Sequence, residues 1–449
     1  MKITKLEIEE LLQNRKFLPL RDRLNEENEM DIAEILDELA PEEAIKVFRL
    51  LSKDTAADVF ASISLEHQKF IINRITDSEL KNIVNELFID DAVDMIEELP
   101  ASVVRRILEN SSNETRLLIN QYLNYPENSA GSIMTAEYIA LKKHMTVREC
   151  FNYIRKHAIS SETIYTCYVT SSTRELEGVL TVKDLFLNDY DKVISEIMDT
   201  NIIKANTHDD QENVVDIFNK YDLLSLPVVD NEDRLVGIIT IDDIIDVMEE
   251  EATEDFEKMA AMSPSEKPYL KTSTWSLAKN RIIWLTVLML SDTIAGTILH
   301  SYEAAFSAYP LLVSFIPMLI DTGGNSGSQS STMIIRGMAI GEISPKDLFK
   351  VIFKEFRVGL IAGFILGFIN FVRLIIMYPN QPLIILTIVC SIYIIVICSK
   401  IIGALLPIVA KSLKLDPAIM AAPLITTIID ALGLIIYFQL ATYLLDIVH

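Results

Sequence analysis

The sequence predicts a multidomain protein: an all-α superhelical N domain, a tandem α/β pair, an acid-rich connecting helix, and a transmembrane domain of five helices. Three observations carry that prediction. The first is a split in charge. The 449 residues carry a net charge of −24, yet 9 acidic and 12 basic residues follow position 270, leaving 55 and 28 before it, a balance of −27. The second is five apolar stretches, near 282–302, 310–336, 357–378, 382–410 and 418–446. Each supplies the roughly 20 residues that cross about 30 Å of hydrocarbon. The third is an internal repeat, in which Gly178, Thr181 and Asp184 return as Gly237, Thr240 and Asp243, 59 positions later.

Residues 1–128 read as the helical cytoplasmic domain. DIAEILDELAPEEAIKVFRLL, DTAADVFASISLEHQKFIINRI and DDAVDMIEELPASVVRRILEN each give helix, short break, helix, with apolar residues recurring at three and four. That pattern suggests a small α-superhelix. Its notable acids are Asp58, Asp90, Asp91 and Asp94, any one of which taken alone is a solvated helix face. The opening MKITKLEIEE has no apolar core, so it is not expected to be a signal peptide, and the acidic half is expected in the cytoplasm. So acidic a block argues against nucleic acid or anionic lipid as partner and favours cations. Cys150, Cys167, Cys390 and Cys398 form no CxxC pair, which suggests buried, inert thiols.

Residues 129–248 hold the repeat, after the boundary PENSAGSIMT. IMTAEYIAL at 133 is echoed by IMDTNIIKA at 197, and LPVVDNEDRLVG reads as strand, acidic turn, strand. Each copy therefore reads strand-helix-strand-strand-helix. The pair resembles cystathionine-β-synthase (CBS) domains, small α/β modules that pair and often bind adenine nucleotides. The resemblance implies that the T-x-x-D residues, Thr181 with Asp184 and Thr240 with Asp243, are offered to a ribose; such a pair also occurs as a purely structural or metal-binding module.

Residues 249–275 form the connecting segment. In DDIIDVMEEEATEDFEKMAAM, Asp246, Glu249, Glu250, Glu251, Glu254 and Asp255 crowd less than three turns. Like charges at i, i+4 destabilise a helix unless something neutralises them. A solvated linker is one reading. A gate is the other, favoured by its position between an acidic domain and a pore.

Residues 276–449 form the membrane domain. Lys271, Lys279 and Arg281 precede the first apolar stretch, Arg336, Lys346, Lys350, Lys354 and Arg357 surround the second connection, and Lys411 and Lys414 lie in the fourth. HSYEAAFSAY and YPNQP carry no Lys or Arg. By the positive-inside rule the large domains are cytoplasmic and the C-terminus is outside. Asp430 sits mid-span in PLITTIIDALGLIIYF, where an acid costs roughly 2.5–3.5 kcal/mol on insertion scales. It should face a pore, a partner or an ion, the alternative being a protonated acid bonded between helices. Thr426 and Thr427 share its helical face. Pro423 frees a carbonyl near residue 419, and Asp416-Pro417 reads as the cap that begins the span. Asp292 in the first stretch reads equally well as packing or pore lining. Glu303 is a solvated carboxylate or a cation-collecting mouth. The stretch DTGGNSGSQSST, 321–332, is polar inside an apolar run. Close helix packing explains Gly323, Gly324 and Gly327. It does not explain Asn325, Ser328 and Gln329, which offer neutral oxygens. Without Gly-Lys-Ser/Thr it is not a phosphate loop.

PMLIDTGGNSGSQSSTMIIRG and DPAIMAAPLITTIIDALGLIIYF, with SAGSIMT, ATEDFEKM and the helical N domain, give nearly the whole chain a resemblance to the MgtE magnesium channels. That resemblance implies a homodimer in a cell-membrane bilayer, with a central pore lined by spans two and five. A largely hydrated Mg2+ would be held by Asp430, with Asn325 and the backbone near Thr426 as neighbours. It also implies a cytoplasmic Mg2+ sensor: Asp58, Asp90, Asp91 and Asp94 in the N domain, then Asp210, Glu212, Asp222, Asp243 and Asp246 in the second CBS copy, then Glu251, Glu254 and Asp255. ATP would lie near Lys183 and Asp184. The chain departs from some members at Ala422, where they have Asn, at Leu223, where they have a bulky aromatic, and at Asp321, where they have Gly.

The function expected is Mg2+-selective conduction, closed by cytosolic Mg2+, with no enzymatic chemistry, since no nucleophile or acid–base pair stands out. Mg2+ dehydrates reluctantly and is met by one or two carboxylates through its waters. A Na+- or H+-coupled exchanger, a Co2+ or Mn2+ transporter and a membrane-anchored nucleotide sensor are the rival readings.

Overall fold

The computed structural model describes residues 3–97, 99–265, 269–270, 272–302, 309–420 and 422–446. Lys271 and Glu303 lie outside them, as does the side chain of Ala422. The chain divides into two compact units, Met1–Met248 and Glu249–His449.

The first unit begins with ten helices among the described residues: α1 (Lys5–Gln13), α2 (Phe17–Leu24), α3 (Glu29–Glu38), α4 (Pro41–Phe48), α5 (Lys53–Ser62), α6 (Leu65–Ile72), α7 (Asp77–Glu86), α8 (Ile89–Glu97), α9 (Ala101–Asn110) and α10 (Asn113–Tyr122). Asn28, Ser52 and Thr76, each 24 positions after the last, cap α3, α5 and α7 with their side chains. That spacing fixes the repeat of the superhelix. α3 packs on α5, α5 on α7 and α7 on α9, while α4 packs on α6 and α8 on α10. The apolar stripes of both rows fill one core with Leu36, Val47, Phe60, Ile72, Leu80 and Ile107.

The α/β pair follows. Its first copy is β1 (Tyr138–Leu141), α11 (Val147–His157), β2 (Thr163–Thr170), β3 (Leu176–Thr181) and α12 (Val182–Leu187). The second is β4 (Ala205–Asn206), α13 (Gln211–Tyr221), β5 (Ser225–Val229), β6 (Leu235–Thr240) and α14 (Ile241–Met259). In each, the first strand runs parallel to the second and the second antiparallel to the third. The echoed IM motifs are where the copies exchange strands. Thr135 and Ile238 swap both backbone hydrogen bonds, and so do Asp199 and Val179. Met134 then lies on Gly237 and Met198 on Gly178, where a Cβ would meet sulfur at 2.6 Å. The repeated glycines exist for that approach. Cys150 and Cys167 are free and buried, and burial pushes their thiols up to about 11 and about 12.

The second unit holds the end of α14 and five long helices: α15 (Thr274–Ser301), α16 (Ile316–Ala339), α17 (Leu348–Met377), α18 (Pro382–Ser412) and α19 (Ala422–Leu445). Short 3-10 turns, Pro310–Phe315 and Pro417–Met420, lead into α16 and α19. α15 and α17 begin well before their apolar stretches, because Lys and Arg are good helix formers and a polar end does not stop a helix. Among the described residues, four helical segments are long and apolar enough to cross a membrane: Thr274–Ser301, Pro345–Met377, Pro382–Ser412 and Pro417–Leu445. α16, read from sequence as a further span, is long enough, but its central polar stretch keeps it out of that set. α17 lies along α18 through a glycine stripe, Gly359 on Ile397, Gly363 on Tyr393 and Gly367 on Val389. Its other face shows Ile361, Phe364, Ile365 and Phe368 outward, as lipid contact requires.

Candidate functional site

The polar stretch of α16 has two faces with separate tasks. Gly323, Gly324, Ser326 and Gly327 are buried against α18 and α19. A Cβ on Gly323 would strike Ile395 and one on Gly324 would strike Thr426, while a Cβ on Gly403 would run into the carbonyl oxygen of Gly327. The glycines are therefore close-packing residues. The opposite face carries Asp321, Asn325, Gln329, Thr332 and Arg336, spaced by four, four, three and four, and all are exposed. Ser328 turns back to the carbonyl of Gly324 at 2.9 Å and so belongs to the helix rather than to that stripe. Ser331 donates to Met420 O at 2.9 Å, tying α16 to the turn that enters α19.

α19 runs antiparallel beside this helix, with Ile425 and Ile429 against Gly327. Thr426 and Thr427 both donate to the carbonyl of Pro423, at 2.9 and 3.1 Å. Asp430 follows one turn later, half-exposed, and the charges that bear on it are Asp292 of α15 and Asp321 of α16. Asp292 of α15 and Asp321 of α16 thus both come near enough to act on the Asp430 carboxyl of α19, with Asn325 one turn along from Asp321. Asp416 caps the entry turn, accepting from Ala418 N at 2.8 Å, as its Asp-Pro sequence suggests.

The second unit also contains the last turns of α14. Lys258 reaches Asp416 at 2.7 Å and pairs with Glu254 within its own helix. Burial works against the Lys258 ammonium, but the bonds from Asp416 and Glu254 more than offset it and hold it above the ordinary lysine range. Asp255 is pushed up, by burial first and then by Asp416, with Glu251 and Glu254 adding to the repulsion. Glu251, Glu254 and Asp255 are therefore one group, gathered around the segment that begins α19.

The first unit concentrates its acids elsewhere. Asp90 is raised to about 9, by burial and then by Asp91, Asp243 and Glu162. Asp91, whose tip still meets solvent, is raised to about 6 by the protein around it, then by Asp243 and Asp58. Glu162 is raised to about 7 by burial, then by Asp243 and Asp242. Glu137 and Asp243 move in the same direction, chiefly through burial, and Asp246 adds to the field on Asp243. Oδ1 of Asp90 and Oε2 of Glu162 are buried without a hydrogen-bond partner. One patch thus joins Asp58, Asp90 and Asp91 of the helical domain to Asp243 and Asp246 of the second copy. Glu137 and Glu162, which sequence reasoning missed, belong to it; neither lies on a periodic acid pattern, and only the tertiary fold delivers them. Asp94 is exposed on α8, one turn on from Asp90. Among the described residues no three such groups close on a single point as a direct metal cage.

Asp210 and Glu212 lie together at one end of α13 and Asp222 at the other. Asp210 caps the start of α13, accepting from Glu212 N at 2.9 Å, and Asp222 ends it with a left-handed φ of 50°. Eleven residues of helix put about 16 Å between those ends, so one ion does not bridge them. In the T-x-x-D pairs, Asp184 Oδ2 accepts from Thr181 N and Oγ1 at 2.8 and 2.6 Å, and Asp243 Oδ2 accepts from Thr240 at 2.6 Å. The motif closes first as a helix cap. Lys183 stands exposed beside the first of these.

The raised carboxyls make a pH prediction. Asp90, Asp91 and Glu162 hold protons in the folded protein that the unfolded chain releases above about pH 4. From about pH 4 to about 9 the folded state binds more protons, so without divalent cation stability falls as pH rises through that window. Thermal melts of the full chain in the absence of divalent cation should show that fall.

Comparison with known proteins gives one consistent result. The divalent cation transporter family MgtE matches residues 316–440, the MgtE intracellular N domain matches 27–128, and CBS domains match 130–189 and 194–250. The chain is 35% identical over 445 residues to the magnesium transporter MgtE of Thermus thermophilus, covering 98% of each. It is 32% identical over 432 residues to that of Bacillus subtilis, covering 96% of this chain and 95% of the relative. Among solved structures, the cytosolic domain of the Mg2+ channel MgtE in complex with ATP superposes with a TM-score of 0.52 at 36% identity, over 54% of this chain and 99% of that one. The soluble part of a magnesium transporter gives 0.53 at 31%, over 55% and 98%.

Proposed function

This chain belongs to the MgtE family of divalent cation transporters, and we propose that it is a Mg2+ channel of the cell membrane that cytosolic Mg2+ closes. The observation that carries the reading is the meeting of Asp430, Asp321 and Asp292 beside the exposed stripe of α16. A polar stripe at membrane depth needs water, an ion or a partner over it. A second copy of the chain, giving a homodimer with α16 and α19 at its centre, turns the stripe toward an axial pore. Asp430 then supplies charge, while Asn325 and the backbone by Thr426 supply neutral oxygens to a hydrated ion. All five long helices cross the bilayer in this arrangement, with the acidic domains inside and the C-terminus outside. Uptake of Mg2+ by liposomes holding the purified protein and an internal Mg2+ indicator tests transport, and no uptake above empty liposomes rejects it.

Closure rests on the two acidic groups. At low Mg2+ the patch of Asp58, Asp90, Asp91, Asp243 and Asp246 repels itself. Hydrated Mg2+ bridging that patch, with further ions at Asp94, at Asp210 and Glu212, at Asp222, and at Glu251, Glu254 and Asp255, draws the closed arrangement together. Several sites are needed, because each shifts the equilibrium only by its differential affinity. Lys258 links the acidic helix to the start of α19, which carries Asp430. Lys258→Met should raise the Mg2+ concentration for half-closure about threefold, a size set by a partly solvated ion pair. Combining Lys258→Asp with Asp416→Lys should restore it, as current recordings against cytosolic Mg2+ will show. The neighbour solved with ATP supports an adenine nucleotide at the first CBS copy, beside Lys183 and the Asp184 oxygen not spent on the cap.

A further inference from the structure

Lys400 is a cation at membrane depth that the mechanism above does not use. It lies within α18, twelve residues before that helix ends, and is 8% exposed. Its Nζ donates to Gln329 Oε1 at 3.2 Å. Gln329 belongs to the exposed stripe of α16, two helical steps of four beyond Asp321. At 1.5 Å per residue the eight positions amount to about 12 Å toward the cytoplasmic end. The hydrogen bond also orients the amide: its oxygen accepts from the ammonium, a partner the sequence did not reveal, and its N–H group is left for the stripe. The stripe changes character along its length, from carboxylates at Asp321 and Asp430, through the neutral Asn325, to the cations Lys400 and Arg336, with the Glu355 carboxylate off the stripe on Ser330.

A buried charge in a span is costly and, where it adjoins an ion route, functional by default. We propose that Lys400 sets how tightly the divalent cation is held at the Asp430 level, by opposing it from about 12 Å on the exit side. Conduction needs binding strong enough to admit the ion and weak enough to release it. Two positive charges on the ion double the effect of one ammonium, and at that separation the opposition is worth about tenfold in affinity once screening is allowed for. Lys400 acts through the field and does not touch the ion, so it is a positioning and specificity residue rather than a ligand.

This rests on the channel reading, and the test separates the two. Mg2+ currents through the full-length protein in planar bilayers are measured against Mg2+ concentration, with the cytoplasmic face kept low in Mg2+. Lys400→Gln should lower the half-saturating concentration about tenfold and reduce the maximal current, whereas Lys400→Arg should leave both within about twofold. A purely structural role would reduce the maximal current of Lys400→Gln without moving half-saturation. Unshifted half-saturation in Lys400→Gln, or equal shifts in both variants, overturns the proposal. Should Lys400→Gln carry no current, Gln329→Lys decides: a second positive charge at the same level should raise half-saturation about tenfold, and no rise overturns the proposal. Absence of any wild-type current removes the channel reading itself.

Discussion

Replacing Asp90, Asp91 and Asp243 together with asparagine should abolish the response of Mg2+ flux to cytosolic Mg2+. The three carboxyls crowd one patch, where burial first and then neighbouring carboxylates push each of them above the ordinary carboxylate range. Mg2+ favours whichever arrangement holds it better, and without these charges it has no differential affinity at the patch. Fluxes at low and high cytosolic Mg2+ should then differ by less than about twofold, where the unmodified protein should change by at least tenfold. A second readout follows from the same electrostatics. The substitutions relieve repulsion, so the metal-free protein should melt at a higher temperature, while the rise in melting temperature on adding Mg2+ should shrink. Intact inhibition in the triple variant would move the sensor away from this patch, toward Glu251, Glu254 and Asp255. Neutralising those three should leave flux high at high Mg2+.

Asp430→Ala should reduce Mg2+ flux more than about a hundredfold. A carboxylate and a divalent ion about 5 Å apart, at an effective dielectric of about 20, attract by several kcal/mol. Asp292 and Asp321 lie close enough to affect Asp430 but come from different helices, so they add to the field at Asp430 without taking its position. Asp430→Glu keeps the charge on a longer arm and should retain part of the flux. Near-normal flux in Asp430→Ala, with unchanged elution and melting, would shift the binding role to Asp321.

Much of this was legible in the sequence, and the reasons differ by element. The 59-residue echo gave both α/β copies because the paired glycines and T-x-x-D caps answer to the same local geometry. The 24-residue period of the helical domain was less visible, since its caps vary among Asn, Ser and Thr. In α16 the glycines show their packing role in the sequence itself, yet the stripe of Asp321, Asn325 and Gln329 stands out only once the burial of the other face is known. Gln329 carried no sign of its amide orientation, because its partner Lys400 is 71 positions away. Glu137 and Glu162 were missed for the same reason: burial by segments distant in sequence marks both, and at Glu162 the charge of Asp243 adds to it. Asp210 and Asp222, which the family resemblance implies for the sensor, stand at opposite ends of one helix.

Channel and exchanger differ most directly in what sets the voltage at which current vanishes. Asp292 beside Asp430 is the arrangement a coupled exchanger would use, so the measurement is made with equal Na+ and pH on both sides of a liposome patch and a tenfold Mg2+ gradient. A Mg2+ channel gives a current that reverses near the Mg2+ equilibrium potential, about 30 mV for that gradient, and stays there when Na+ or pH is later changed on one side. No current until a Na+ or H+ gradient is applied, or a reversal that moves with that gradient, would contradict conduction through the Asp430 pore.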